Sequence, residues 1–186
     1  MPLSTNRVLT FFGSIRAPAT NSLRVALCQM QNEGATSVTI LFASEGGSAD
    51  DGIALHAYIT ALPFELTMHA IGFVSSVAIP VFLAAPKRLA SKHARFFFHE
   101  YSWTHPQANV ATQTTMTEQS MLLDYSAEWS REIIKATTKL TDGDFERMKL
   151  FDHPVILSPS DAAKHGLVSQ VTEPNIPVGC DPRVVV

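Results

Sequence analysis

Apolar β-rich segments alternate with helix-patterned segments along this chain, and that alternation constrains the fold more than any other feature. Ser37 to Ala43 (Ser-Val-Thr-Ile-Leu-Phe-Ala) is rich in β-branched and apolar residues, and the Gly46-Gly47 turn breaks it. Such a strand wants cover on both faces, which a parallel sheet between helices provides. Val8 to Phe12, Glu65 to Ile71, Arg95 to His99 and Leu167 to Val171 read as further strands. Between them, Pro18-Ala19-Thr20-Asn21 opens a helix whose stripe is Leu23, Ala26, Leu27 and Met30, ended by Gly34. Ser48-Ala49-Asp50-Asp51 caps a helix that stops at Pro63, and another runs from about Ser76 to Ala85. Repeated β-α-β units imply a mostly parallel, helix-covered sheet.

The C-terminal half is more helical. Met116 to Leu140 reads as a long amphipathic helix with Met121, Leu122, Tyr125, Trp129, Ile133 and Ile134 on one side. That face is wide for a surface helix, so packing on its own domain and interlocking with a neighbouring subunit are both open. Asp144 to Met148 adds a short helix, and Ser158-Pro159-Ser160-Asp161 caps another that ends at His165-Gly166. The Thr-, Gln- and Asn-rich Ser102 to Thr115 reads as a loop. At 186 residues the chain fits one domain over 1–186, with its core at 8–171 and an extended tail at 172–186.

Composition excludes several function classes. A net charge of -3, with Lys and Arg scattered, offers no basic block for phosphates, so no nucleic-acid partner is expected. Cys28 and Cys180 make no disulfide framework, and a reducing, cytoplasmic setting is the simpler expectation. The greasiest run, Ile71 to Pro86, falls short of the ~20 residues of a membrane-spanning helix, and no membrane partner is expected. No histidine, cysteine or carboxylate spacing suggests a metal, and His99-Glu100 does not begin an H-E-x-x-H motif because position 103 is Trp. No cofactor is expected.

Three pieces carry chemistry. Gly72-Phe73-Val74-Ser75-Ser76-Val77-Ala78 puts hydroxyls at an apolar strand-to-helix junction, where a serine can cap the helix or act as a nucleophile. The N–H of Val77, at that helix start, has no intrahelical partner. Periodicity does not separate Ser75 from Ser76. Gly46-Gly47 can be a plain turn, or can let a substrate chain approach backbone N–H groups. His99 ends the run Arg95-Phe96-Phe97-Phe98, either as a structural residue or as a base. A nucleophile, a base and oxyanion donors are what acyl transfer by serine requires.

Together these pieces resemble the Clp protease proteolytic subunit family, within the wider crotonase-like superfamily. Ser44-Glu45-Gly46-Gly47-Ser48 is similar to the family's S-P-G-G-S turn, with Glu45 in place of proline. Gly72 to Ala78 resembles G-x-A-A-S-M-G, which selects Ser76 as nucleophile. Arg95 to His99 resembles R-x-M-I-H-Q-P, which makes His99 the base, although Glu100 and Tyr101 depart from the family's Gln and Pro. Ser158-Pro159-Ser160-Asp161-Ala162-Ala163-Lys164-His165-Gly166-Leu167-Val168 resembles the closing L-S-A-x-E-A-x-x-Y-G-L-V-D.

The resemblance implies an α/β fold of repeated β-β-α superhelical turns, with 116–140 as a handle helix joining stacked rings of subunits. It implies a serine endopeptidase acting on peptide or unfolded protein inside an oligomeric chamber. Gly46 and Val77 N–H groups would form the oxyanion hole, and Gly47 would help bind substrate. The family's acidic triad member falls at Pro154, which cannot orient an imidazole; Asp152, two residues earlier, is the expected substitute. The family's N-terminal axial loop, which contacts a Clp-type ATPase, looks truncated here. Two other readings follow from the same residues: a catalytically silent ring subunit, suggested by Pro154, and a crotonase-like acyl-CoA enzyme using the oxyanion donors without a nucleophile.

Overall fold

The computed structural model describes residues 6–102, 112–176 and 183–185. β1 (Asn6–Phe12) leads into α1 (Ala19–Asn32), β2 (Ser37–Ser44), α2 (Ala49–Thr60) and β3 (Glu65–Ser75). There follow α3 (Ala78–Leu83), β4 (Lys87–Ala90), β5 (Arg95–Phe98) and α4 (Gln113–Thr137). α5 (Asp142–Met148), β6 (Val155–Leu157), α6 (Pro159–Lys164), β7 (Gln170–Val171) and β8 (Arg183–Val185) complete the order. Four helices start on the local signal that favours them. The side chains of Ser48, Thr112, Thr141 and Ser158 each accept a hydrogen bond from the N–H three residues on.

The sheet runs β6-β5-β3-β2-β1-β8, with β4 pairing β3 and β7. Its pairings are parallel except one: β6 lies antiparallel to β5, Phe97 opposite Ile156. β3 is the hinge of the sheet. Its first half, Thr67 to Ala70, pairs β4, and its second half, Phe73 to Ser75, pairs β5. Between these halves β3 bulges against β2, since Phe42 faces Ala70 but Ser44 faces Val74. The extra residues include Gly72, where a Cβ would meet the Ala43 Cβ at 3.2 Å. The bulge bends β3 from one neighbour to the other and so aims its C-terminal end.

Expectation and structure differ at several places. The strand ending at Ile71 continues to Ser75, so Ser76 is outside α3 rather than its first residue. β4 and β6 are additional strands, and the expected Leu167 to Val171 strand is only Gln170–Val171. Most of the expected Ser102 to Thr115 loop (103–111) lies outside the described residues, while Gln113 to Thr115 belongs to α4.

The core explains why the junction after β3 is firm. Every residue of α3 is buried, which suits an all-apolar Ala-Ile-Pro-Val-Phe-Leu helix. Phe11, Phe42, Phe82 and Phe96 form a chain of ring contacts, with centroids 5.4, 6.2 and 5.4 Å apart, linking the sheet to α3. Burying each such ring is worth roughly 2–3 kcal/mol. α4 is different in its two halves. Trp129, Ile133 and Ile134 pack on the core, while Met116, Met121, Leu122 and Tyr125 are each more than half exposed. Among the described residues, no helix is long and apolar enough to cross a membrane.

Candidate active site

Ser76 sits at the strand-to-helix corner between β3 and α3 with φ 57°, a left-handed conformation for a residue that has a Cβ. Holding it there costs about 1–2 kcal/mol. The surroundings supply that energy: Ser76 N–H donates to the Phe97 carbonyl of β5 at 3.0 Å, and the Ser76 carbonyl accepts from Ile79 N–H. Strain of this kind concentrates at functional corners. Ser76 lines the cleft described below, and Ser75, 2% exposed at the end of β3, does not. Of the two serines, Ser76 is therefore the one placed to reach a ligand.

The glycine turn lies against this corner. A Cβ on Gly46 would fall 2.7 Å from the Ser75 carbonyl and 2.8 Å from Ser76 Cβ, so only glycine allows the approach. Gly46 also adopts φ 93°, a region that side chains rarely enter. The turn is stapled by Ile15, whose N–H donates to the Gly46 carbonyl and whose carbonyl accepts from Ser48 N–H, both at 2.8 Å. This pairing skips the Gly47 N–H.

The Gly46 N–H, expected as an oxyanion donor, is instead committed to the buried Ser44 hydroxyl at 3.1 Å. Gly47 N–H is the amide of the pair left without a partner among the described residues, as is Val77 N–H at the start of α3. Gly47 lines the cleft described below, whereas Val77, fully buried, opens the helix beside Ser76 without lining it. In the sequence Ser44 reads only as part of the turn motif, although a serine hydroxyl two residues before a glycine N–H is itself a local turn signal.

His99 follows β5 directly, half-buried, its ring 5.2 Å from that of Phe97. Nδ1 lies 2.7 Å from the Glu100 carbonyl oxygen. A carbonyl only accepts, so Nδ1 carries the proton and Nε2 is the basic nitrogen. No hydrogen bond joins His99 to Ser76, although both line the same cleft. Apo sites often show such open pairs.

Asp152 does not reach His99. Its side chain is exposed and forms no hydrogen bond or ion pair among the described residues. The reason is the preceding turn. Lys149 and Phe151 have φ of 54° and 71°, which turns Phe151 inward onto Phe98, Tyr101 and Phe145 and leaves Asp152 outside. Burying a phenylalanine outweighs orienting a carboxylate.

Ser76, His99 and Gly47 share one cleft of about 560 Å³, which is large enough for several residues of an extended peptide. Its wall on the α4 side includes Leu122, Leu123 and Ser126, and its mouth carries Arg16, Glu45 and Asp50. Tyr101 also lines it; burial pushes its phenol up to about 12, so the group stays neutral and can donate a hydrogen bond. His56 and His69 are held below the usual histidine range by burial, and neither lines the cleft. Among the described residues no group of three or more His, Cys, Asp or Glu could hold a metal ion.

The family model for Clp protease matches residues 2–175. The chain belongs to the Clp protease family. No curated protein matches the sequence. Among solved structures, a mutant of ClpP1 from Listeria monocytogenes superposes with a TM-score of 0.78, at 19% identity over 90% of this chain and 92% of that one. The Clp protease fold is therefore shared, α4 holding the place of the expected handle helix, while four residues in five differ.

Proposed function

We propose that this Clp protease family member hydrolyses peptide bonds with Ser76 as nucleophile. The observation that carries the reading is the strained Ser76, aimed into the same cleft as His99 and the unpartnered Gly47 N–H. His99 Nε2 takes the hydroxyl proton as Ser76 Oγ bonds to the scissile carbonyl carbon. Gly47 and Val77 N–H groups hold the oxygen that becomes negative; each such donor is worth roughly 3 kcal/mol of barrier. His99 then protonates the leaving nitrogen as the C–N bond breaks, and water releases the acyl group by the same route reversed. Substrate binds as an extended chain alongside the Gly46-Gly47 turn.

Labelling with a fluorophosphonate tests this. The reagent is expected on Ser76, lost in Ser76→Ala and retained in Ser75→Ala. Label on Ser75, or none at all on folded protein, overturns it. A silent-subunit reading has one observation in its favour, the outward Asp152, and it predicts no label and no hydrolysis.

The exposed apolar half of α4 supports assembly through this helix, in the manner of stacked rings. Tyr125→Glu would place a charge at that face, and sedimentation is expected to show a smaller species than wild type. An unchanged sedimentation coefficient refutes assembly through α4.

A further inference from the structure

His99 needs something to fix its ring, and no described carboxylate bonds to it. We propose that Tyr101 is a positioning residue, setting the Glu100 carbonyl where a triad acid would otherwise hold His99. The inference rests on the reading of His99 as the base of the peptidase.

Three observations converge. The sheet ends at Phe98, so the backbone of 99–101 has no ladder to hold it. Tyr101 supplies the missing anchor: its hydroxyl lies 2.5 Å from the Ser130 hydroxyl, which is fully buried on α4. Its ring stacks on Phe151 with centroids 5.7 Å apart and planes at 25°. Phe151 is itself wedged against Phe98 of β5 and Phe145 of α5. With Phe98 and Tyr101 both pinned, the Glu100 carbonyl between them is left 2.7 Å from His99 Nδ1.

The same packing that turns Phe151 inward turns Asp152 outward. One arrangement therefore removes the expected acid and installs its substitute. The substitute is not equivalent. A carbonyl selects the tautomer with Nε2 basic, as a carboxylate would, yet it carries no charge to stabilise the imidazolium formed when His99 takes the proton. Orientation is retained and electrostatic support is weakened.

The test reads the ring directly. 15N-histidine-labelled protein, with His99 assigned through His99→Gln, is expected to show Nδ1 protonated and Nε2 bare in two-bond 1H–15N spectra. Asp152→Asn is expected to leave that pattern unchanged, with kcat on a fluorogenic peptide within about two-fold. Tyr101→Phe keeps the ring but loses the Ser130 bond. It is expected to mix the tautomers of the folded protein and to lower kcat about ten-fold with KM nearly unchanged. Partial unfolding would also lower apparent kcat at constant KM, but it would not mix the tautomers of the molecules that remain folded. Protonation on Nε2 in the wild type, a tautomer change in Asp152→Asn, or an unaltered tautomer in Tyr101→Phe overturns the proposal. The tautomer decides this inference whether or not Ser76 labels; absence of label with the expected tautomer would remove the peptidase reading alone.

Discussion

Val77 lies directly over Gly52: a Cβ on the glycine would come within 2.3 Å of Val77 Cγ2. The contact locks α2 to the residue that opens α3, and Val77 is the one whose N–H is proposed to bind the oxyanion. Alanine at an ordinary helix position is better than glycine by about 1 kcal/mol. Overpacking a tight contact costs roughly 1–3 kcal/mol, so the steric effect wins here. Gly52→Ala is expected to lower the urea midpoint and to slow fluorophosphonate labelling. A more stable variant with normal labelling would show that the contact yields easily.

The left-handed backbone at Ser76 separates strain from chemistry. Ser76→Gly and Ser76→Ala both remove the hydroxyl, and both are expected to abolish labelling. They differ in the backbone, since glycine tolerates φ 57° and alanine does not. The glycine variant is expected to be more stable than the alanine variant by about 1 kcal/mol in chemical denaturation. Equal stabilities would mean that the corner relaxes once the hydroxyl is gone.

Arg88 ties three helix ends together without any carboxylate. Its guanidinium donates to the carbonyls of Ala85, Thr137, Leu167 and Gly166, at 3.0, 2.8, 2.9 and 3.3 Å. These carbonyls follow or close α3, α4 and α6, where the negative ends of helix dipoles gather. Arg88→Met keeps the apolar stem and strands the carbonyls. A loss of about 2–4 kcal/mol is expected in urea unfolding, several bonds to a charged group being at stake. Arg88→Lys is expected to recover little, because a single ammonium cannot span the fork. Full recovery by lysine would reduce the site to simple charge.

α5 carries an acid-sensitive cap. The Asp144 carboxylate accepts from Thr141 N–H and Oγ–H, at 2.9 and 2.7 Å, and contacts Arg147. The hydrogen bonds from Thr141, then the Arg147 charge, lower its pKa from 3.8 to about 2. A depressed carboxyl stabilises the fold above its unfolded value and loses that stabilisation as pH falls towards the folded one. The gap in unfolding midpoint between wild type and Asp144→Asn is expected near neutral pH and should close between about 3.8 and 2. A gap that persists in acid would assign the cap to packing instead.

The residues that declared themselves in the sequence are those whose structure depends on near neighbours. Ser48 and Ser158 cap helices through atoms three residues away, and the apolar runs of β1, β2 and β5 are recognisable as strands without knowledge of the strands they pair with. The order of Gly46-Gly47, Ser76 and His99 along the chain was legible for the same reason; Gly47, Ser76 and His99 line one cleft, while the amide of Gly46 is bonded to Ser44. β4 and β6 were not legible, being short segments that become strands only because β3 and β5 present free edges to them. The fate of Asp152 was likewise hidden. It turned on whether Phe151, three residues before the proline, would be buried by Phe98, Tyr101 and Phe145, which come from two separate stretches. Short-range hydrogen bonding and apolar patterning are written into a few consecutive side chains. The direction of the His99 imidazole is settled by competition among distant groups for the same space, and only the folded chain holds that competition.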